Sequence, residues 1–212
     1  MRQLFRLVAV AAAAALLAAC APTTTTGGEG VRPGPGAPDV RVDTPALRKV
    51  KARIGMEDCP TGTASEVVEK GLPAVTVPCL GGGREVDLST LRGPLVINLW
   101  QAFCQPCRKE MPALESFHQQ YGDRVAVLGI DINDVHPDAA LSLAEDTSAT
   151  YPSVADPGGD LLGHEAFAVA RRGLPAFVFV AQDGTVAGVA SGGVESSAEV
   201  VELVEEHLGV RL

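Results

Sequence analysis

Two cysteines stand in a Cys-x-x-Cys pattern, Cys104 and Cys107, within Asn98-Leu99-Trp100-Gln101-Ala102-Phe103-Cys104-Gln105-Pro106-Cys107-Arg108-Lys109-Glu110-Met111-Pro112. The residues just before them, 95–100, are β-branched, leucine and aromatic, which predicts a buried strand. The residues after, 105–121, predict a helix. A cysteine at such a junction meets unpaired helix N–H groups and the positive end of the macrodipole, and both favour a thiolate. That setting lowers a thiol pKa from about 8.5 into the range of roughly 3.5 to 7.5. Cys104 is therefore the expected nucleophile. Cys107, one turn on and on the same face, is placed to attack a mixed disulfide at Cys104 and release the partner. Pro106 suits a first helical turn, where its missing N–H would be unpaired anyway. Pro112 lies deeper and is expected to kink the helix.

The chain holds five cysteines, and the other three divide by position. Arg2 and Arg6 introduce the apolar stretch Leu7 to Ala18, which runs into Leu17-Ala18-Ala19-Cys20. Charged, apolar, then small is the order of a secretory signal, and the apolar run is short for a spanning helix of about 20 residues. A cysteine directly after the small residues resembles the lipobox of bacterial lipoproteins, which implies cleavage before Cys20 and lipidation there. An ordinary signal or an uncleaved anchor with a chance cysteine is the alternative. Export is the expectation in each case, and acyl chains would hold the protein on a membrane surface without spanning it. Cys59, Cys79, Cys104 and Cys107 then form an even set in a compartment where disulfides survive. Cys59, followed by Pro60, and Cys79, preceded by Pro78, read as a structural disulfide worth about 3 kcal/mol by loop entropy. A second redox couple relaying electrons to Cys104 is the alternative.

Three segments organise the chain: a signal over 1–19, a flexible Thr/Gly/Pro-rich tether over 20–45, and one globular domain over 46–212. No internal repeat is visible. Within the domain, 74–77 and 85–88 predict short strands around Gly81-Gly82-Gly83. Beyond the strand 95–100 and helix 105–121, the pattern predicts a strand at 125–131, a helix at 137–148, a strand at 151–155 and a helix at 160–170. A hairpin of 176–180 and 185–190 turns at Gln182-Asp183-Gly184, and 197–208 closes the chain as an amphipathic helix. Strand-helix-strand followed by strand-strand-helix is the thioredoxin order, with a parallel pair joined by a crossover.

The stretch from Asn98 to Pro112 resembles the motif of the TlpA/ResA-like thioredoxin-fold proteins, and the likeness extends more weakly over residues 71–209. The resemblance implies an α/β, thioredoxin-like fold: a central mixed sheet flanked by helices, with an added N-terminal hairpin and a helix-strand insertion between 135 and 155. It implies that Pro175, in Gly173-Leu174-Pro175, is a cis proline against the active disulfide, exposing the backbone of Leu174 to an extended partner peptide. An ordinary trans turn proline is the plainer alternative. In the branch that serves haem-protein maturation a glutamate three residues after the second cysteine belongs to the site, and Glu110 matches it. Glu110 would share a helix face with Cys107 and tune a thiol or take its proton; a surface glutamate favoured by the helix dipole is the alternative. Two departures stand out. Phe103 replaces the tryptophan many relatives carry before the first cysteine, and Asn98 stands where thioredoxin has a buried acid.

The formal charge of −9 argues against a nucleic-acid partner. Zinc is disfavoured, since no second Cys-x-x-Cys or histidine pair follows at ligand spacing and His118, His136, His164 and His207 are scattered. A peroxidase of peroxiredoxin type is disfavoured by Gln101, which stands where that family has threonine. No small-molecule cofactor is expected. The expected partners are thiols or disulfides of exported proteins, a membrane redox donor or acceptor, and the membrane itself through the lipid. The expected chemistry is reversible thiol-disulfide exchange outside the cytoplasm, as a reductase serving cytochrome c maturation or as an oxidase of secreted proteins. Gln105-Pro106 offers no cation to hold the thiolate, which disfavours an extreme oxidant. A non-enzymatic thioredoxin-fold lipoprotein whose disulfide is merely structural is the rival from another class.

Overall fold

The computed structural model describes residues 39–212; the signal, Cys20 and most of the tether lie outside them. The first element is a helix, α1 (Pro45–Ile54), that the sequence expectation does not delimit. Its signals are nonetheless legible: Thr44 Oγ1 accepts from the Leu47 amide at 3.2 Å, Pro45 opens the first turn, and Gly55 closes the helix with φ of 78°, the cap geometry glycine favours.

The hairpin that follows is shorter than expected, β1 (Thr76–Val77) against β2 (Val86–Asp87). Asp87 cuts it off by accepting from the Ser89 amide at 3.0 Å and turning the chain into a 3-10 helix, Leu88–Thr90. Then come β3 (Leu95–Trp100), α2 (Gln105–Tyr121), β4 (Ala126–Ile132), α3 (Pro137–Asp146) and β5 (Ser153–Asp156). The expected helix over 160–170 is instead two 3-10 helices, Asp160–Gly163 and Glu165–Arg172. Between them His164 is extended, with φ of −95° and ψ of 144°, so no α-helical register passes through it. The chain ends in β6 (Ala176–Val180), β7 (Val186–Ser191) and α4 (Ser197–Leu208).

Five strands form one mixed sheet in the order β5-β4-β3-β6-β7, with β3, β4 and β5 parallel and β6 and β7 antiparallel to their neighbours. This is the thioredoxin-like α/β arrangement. Every residue of β3 is buried, and alternation divides them between two cores. Val96 and Trp100 pack with Met111, Leu114, Phe117, Val200 and Val204 beneath α2 and α4. Leu95, Ile97 and Leu99 pack on the other face with Leu161, Phe167 and Val169. The central strand is thereby held rigidly from both sides, and the site lies at its C-terminal end. No described helix is long and apolar enough to cross a membrane.

Candidate active site

After Trp100 the chain leaves β3 in a loop tied to the end of the neighbouring strand. Gln101 Nε2 donates to the carbonyls of Ile132 and Asn133 at 2.9 and 3.0 Å. Asp134 Oδ2 accepts from the Ala102 amide at 2.8 Å, while its Oδ1 accepts from the amide of His136 at 2.9 Å. Phe103 is 70% exposed and meets the His136 ring edge-on, with centroids 5.2 Å apart. Phe103 is thus an exposed apolar lip beside Cys104.

Cys104 is the N-cap of α2, and its Sγ accepts from the Cys107 amide at 3.2 Å. The two sulfurs are bonded, with Cα atoms 5.2 Å apart. Cys104 is half-buried, whereas Cys107 has no exposure. A partner can therefore reach only the first sulfur, and an amide N–H already points at the thiolate that reduction would leave there. The helix runs unbroken through Pro112 to Tyr121, so the proline removes one backbone donor without ending the element.

Glu110 is no surface residue. It is fully buried, and its Oε1 accepts from Asn98 Nδ2 at 2.7 Å. Burial raises the carboxyl pKa to about 8, against the opposing pull of the Asn98 amide and the nearby Val194 N–H. Its Oε2 has no hydrogen-bond partner, nor has Asn98 Oδ1. Asn98 therefore supplies a donor to an acid standing on the adjacent helix, where an acid on the strand itself was expected to be missing.

The Leu174–Pro175 peptide is cis. Pro175 and Glu110 meet across Gly193: a Cβ there would stand 3.5 Å from Pro175 Cγ and 3.6 Å from Glu110 Oε2. The Pro175 carbonyl accepts from the Gly192 amide at 3.0 Å. No hydrogen bond within the described residues engages the Leu174 backbone.

Sequence reasoning missed two acids that frame the loop. Asp134 fixes the position of Ala102, and Asp131, paired in register with Trp100, is fully buried with neither oxygen hydrogen-bonded. Its carboxyl is held well above the usual carboxylate range, first by burial and then by the neighbouring Asp134 and Asp156. An acid inside an otherwise apolar strand was the available signal. The second cysteine pair, Cys59 and Cys79, is also bonded and belongs to the core on the opposite face of the sheet from Cys107.

A mixed sheet of this order, with a Cys-x-x-Cys disulfide capping the helix after its central strand, defines a thioredoxin-like protein with a redox-competent cysteine pair. The chain belongs to the AhpC/TSA family, whose model matches residues 68–189. It is 30% identical over 80 residues to the thioredoxin-like protein YneN of Bacillus subtilis, an alignment spanning 36% of this chain and about half, 47%, of that one. To the thiol-disulfide oxidoreductase ResA of Halalkalibacterium halodurans it is 27% identical over 129 residues, 59% of this chain and 67% of the relative. Among solved structures, a candidate protein disulfide isomerase from Bacteroides thetaiotaomicron superposes with a TM-score of 0.53 and 29% identity. That superposition covers 68% of this chain and 91% of the other.

Proposed function

We propose that the protein exchanges disulfides with exported proteins while tethered to a membrane by lipid on Cys20. In this reading Cys104 attacks and Cys107 resolves. The observation that carries it is the asymmetry of the bonded pair at the start of α2: the reachable sulfur is the helix cap, and the second is buried one turn behind it. The partner's disulfide is attacked by the Cys104 thiolate, one partner sulfur leaves and takes a proton, and a mixed disulfide forms. Cys107, once deprotonated, attacks Cys104 and expels the second partner sulfur. The partner is reduced by two electrons and the pair is oxidised; the reverse sequence oxidises a partner dithiol.

Glu110 is the proposed acceptor for the Cys107 proton. It stands three residues on along the same helix, and a carboxyl titrating at about 8 matches a thiol's proton affinity far better than an ordinary carboxylate does. Pro175 is the proposed docking residue, with the unengaged backbone of Leu174 open to an extended peptide. The names of the relatives support exchange over peroxidase chemistry, and Gln101 supports it too. Likeness at Glu110 to the haem-protein branch favours reduction, with cytochrome c maturation as the setting and a membrane dithiol as electron donor.

The test is to replace Cys107 with Ala, so that no resolving thiol remains, isolate proteins trapped on Cys104, and measure the wild-type potential. Trapped apocytochrome with a potential near the reducing end of the thioredoxin-fold range, about −270 mV, is the expected result. Diverse secreted proteins with a potential near −120 mV, roughly that of a strong oxidant, would reverse the direction. No trapped partner would contradict the exchange reading itself.

A further inference from the structure

Lys51, on α1, is 6% exposed, an unusual position for so strongly hydrated a charge. Its Nζ donates to the Gly82 carbonyl at 3.0 Å and stands 3.2 Å from Cys79 Sγ. Its carboxylate neighbour, Asp58 at 3.4 Å, is itself almost wholly in solvent, with 94% of its side chain exposed. A disulfide sulfur is a weak acceptor that gains little from an ammonium group, whereas a thiolate gains a charge-assisted bond.

The other sulfur is matched in the complementary way. Cys59 Sγ lies 3.2 Å from the Ser153 carbonyl, nearer than the 3.7 Å of Cys79 Sγ, so this acceptor, of no use to a bonded sulfur, is suited to an S–H at Cys59. The surroundings therefore solvate the products of reduction, a thiol at Cys59 and a thiolate at Cys79, better than they solvate the bridge. A cavity of about 380 Å³ opens alongside, lined by Lys51, Arg48, Asp58 and Gly81 to Gly83. Cys59 and Cys79 are themselves 4% and 1% exposed, and Gly83, which lines the cavity, would place a Cβ 3.7 Å from Cys79 Sγ and 3.6 Å from Lys51 Nζ.

We propose that the Cys59–Cys79 bridge and Lys51 form a second redox-active site, in which Cys79 is released as a thiolate paired with the Lys51 ammonium. This goes beyond exchange at Cys104 and Cys107. One thiolate of a dithiol, admitted by local opening of the buried bridge, attacks Cys79 Sγ, the S–S bond breaks, and Cys59 leaves and takes up a proton. The dithiol's second thiolate then attacks the sulfur joined to Cys79, closing a cyclic disulfide and freeing the Cys79 thiolate. Two electrons pass from the dithiol to the bridge, and one proton is released overall. Among the described residues, the charged groups lining the cavity are Lys51, Asp58 and the Asp43–Arg48 ion pair.

That unequal proton count is the test. The full chain carrying Cys104→Ser and Cys107→Ser is equilibrated with reduced and oxidised dithiothreitol at pH 6 to 8, and the Cys59–Cys79 pair is quantified by thiol trapping and mass mapping. With the probe's thiols protonated and one protein thiol ionised throughout, the equilibrium constant for reduction should rise about tenfold per pH unit, roughly a hundredfold across that range. Lys51→Arg should keep the rise, and Lys51→Met should flatten it to less than about twofold, near-ultraviolet circular dichroism verifying that each is folded. A flat wild-type profile overturns the proposal even if Lys51→Met fails to fold. An equally steep rise in folded Lys51→Met overturns it as well.

Discussion

At the scale of single residues, the proposed proton transfer depends on where a carboxyl is forced to sit. Glu110 is buried with one oxygen bonded to Asn98 and the other to nothing, and its pKa of about 8 against an ordinary value of 4.5 follows chiefly from that burial. Because the folded state binds this proton more tightly than the unfolded chain does, Glu110 costs nothing below about pH 4.5. Its cost then grows as pH climbs and is complete above about pH 8. Glu110→Gln should therefore match the wild type within about 1 kcal/mol near pH 5 and exceed it by about 2 kcal/mol or more near pH 9. Urea unfolding of the oxidised proteins at the two pH values measures this. A wild type as stable as the variant at pH 9 would mean that the buried carboxyl is not strained by ionisation. Asp131, raised for similar reasons, adds a slope of the same sign to both proteins. Cys104 and Cys107 were legible from spacing alone, because a helix start imposes their geometry locally. The Asn98–Glu110 bond was not, since it joins a strand to a helix 12 residues on and only packing brings their faces together.

Among elements, the active strand depends on a turn where there is no room for a side chain. Gly93 donates its amide to the Ala181 carbonyl at 2.9 Å, and a Cβ there would lie 1.8 Å from the Val180 carbonyl oxygen. Gly93→Ala must push β3 and β6 apart just where they begin to pair, and a loss of about 3 kcal/mol or more is expected in thermal or urea unfolding. A loss under about 1 kcal/mol would show that the β3–β6 entry is far more pliant than its contacts imply. The long elements were legible because each carries a sustained period: β3 as an unbroken apolar run, α2 and α4 as amphipathic stripes. The short ones failed for local reasons. Asp87 ended the hairpin through its own side chain, and an extended His164 broke the expected helix into 3-10 turns. The 44–55 segment is marked by caps at both ends, signals weaker to the eye than periodicity.

For the whole molecule, two disulfides lie in the two separate cores of one sheet. The thioredoxin order was legible from the succession of elements, whereas the placing of a buried lysine against one bridge needed three-dimensional proximity between residues 28 apart. The proposed anchor belongs at this scale too. Cys20→Ser in the full chain, expressed in a bacterial host, should move the protein from the membrane fraction to the soluble extracytoplasmic fraction. Unchanged membrane association would rule out lipid on Cys20 as the attachment.

The division of labour between Cys104 and Cys107 is tested most directly by turnover of insulin disulfides with dithiothreitol as the electron source. The wild type should accelerate the reaction, Cys104→Ser should fall by about a hundredfold or more to the uncatalysed rate, and Cys107→Ser should stall as a mixed disulfide on Cys104. A Cys104→Ser protein that still turns over at close to the wild-type rate would contradict the assignment of this pair as the working site.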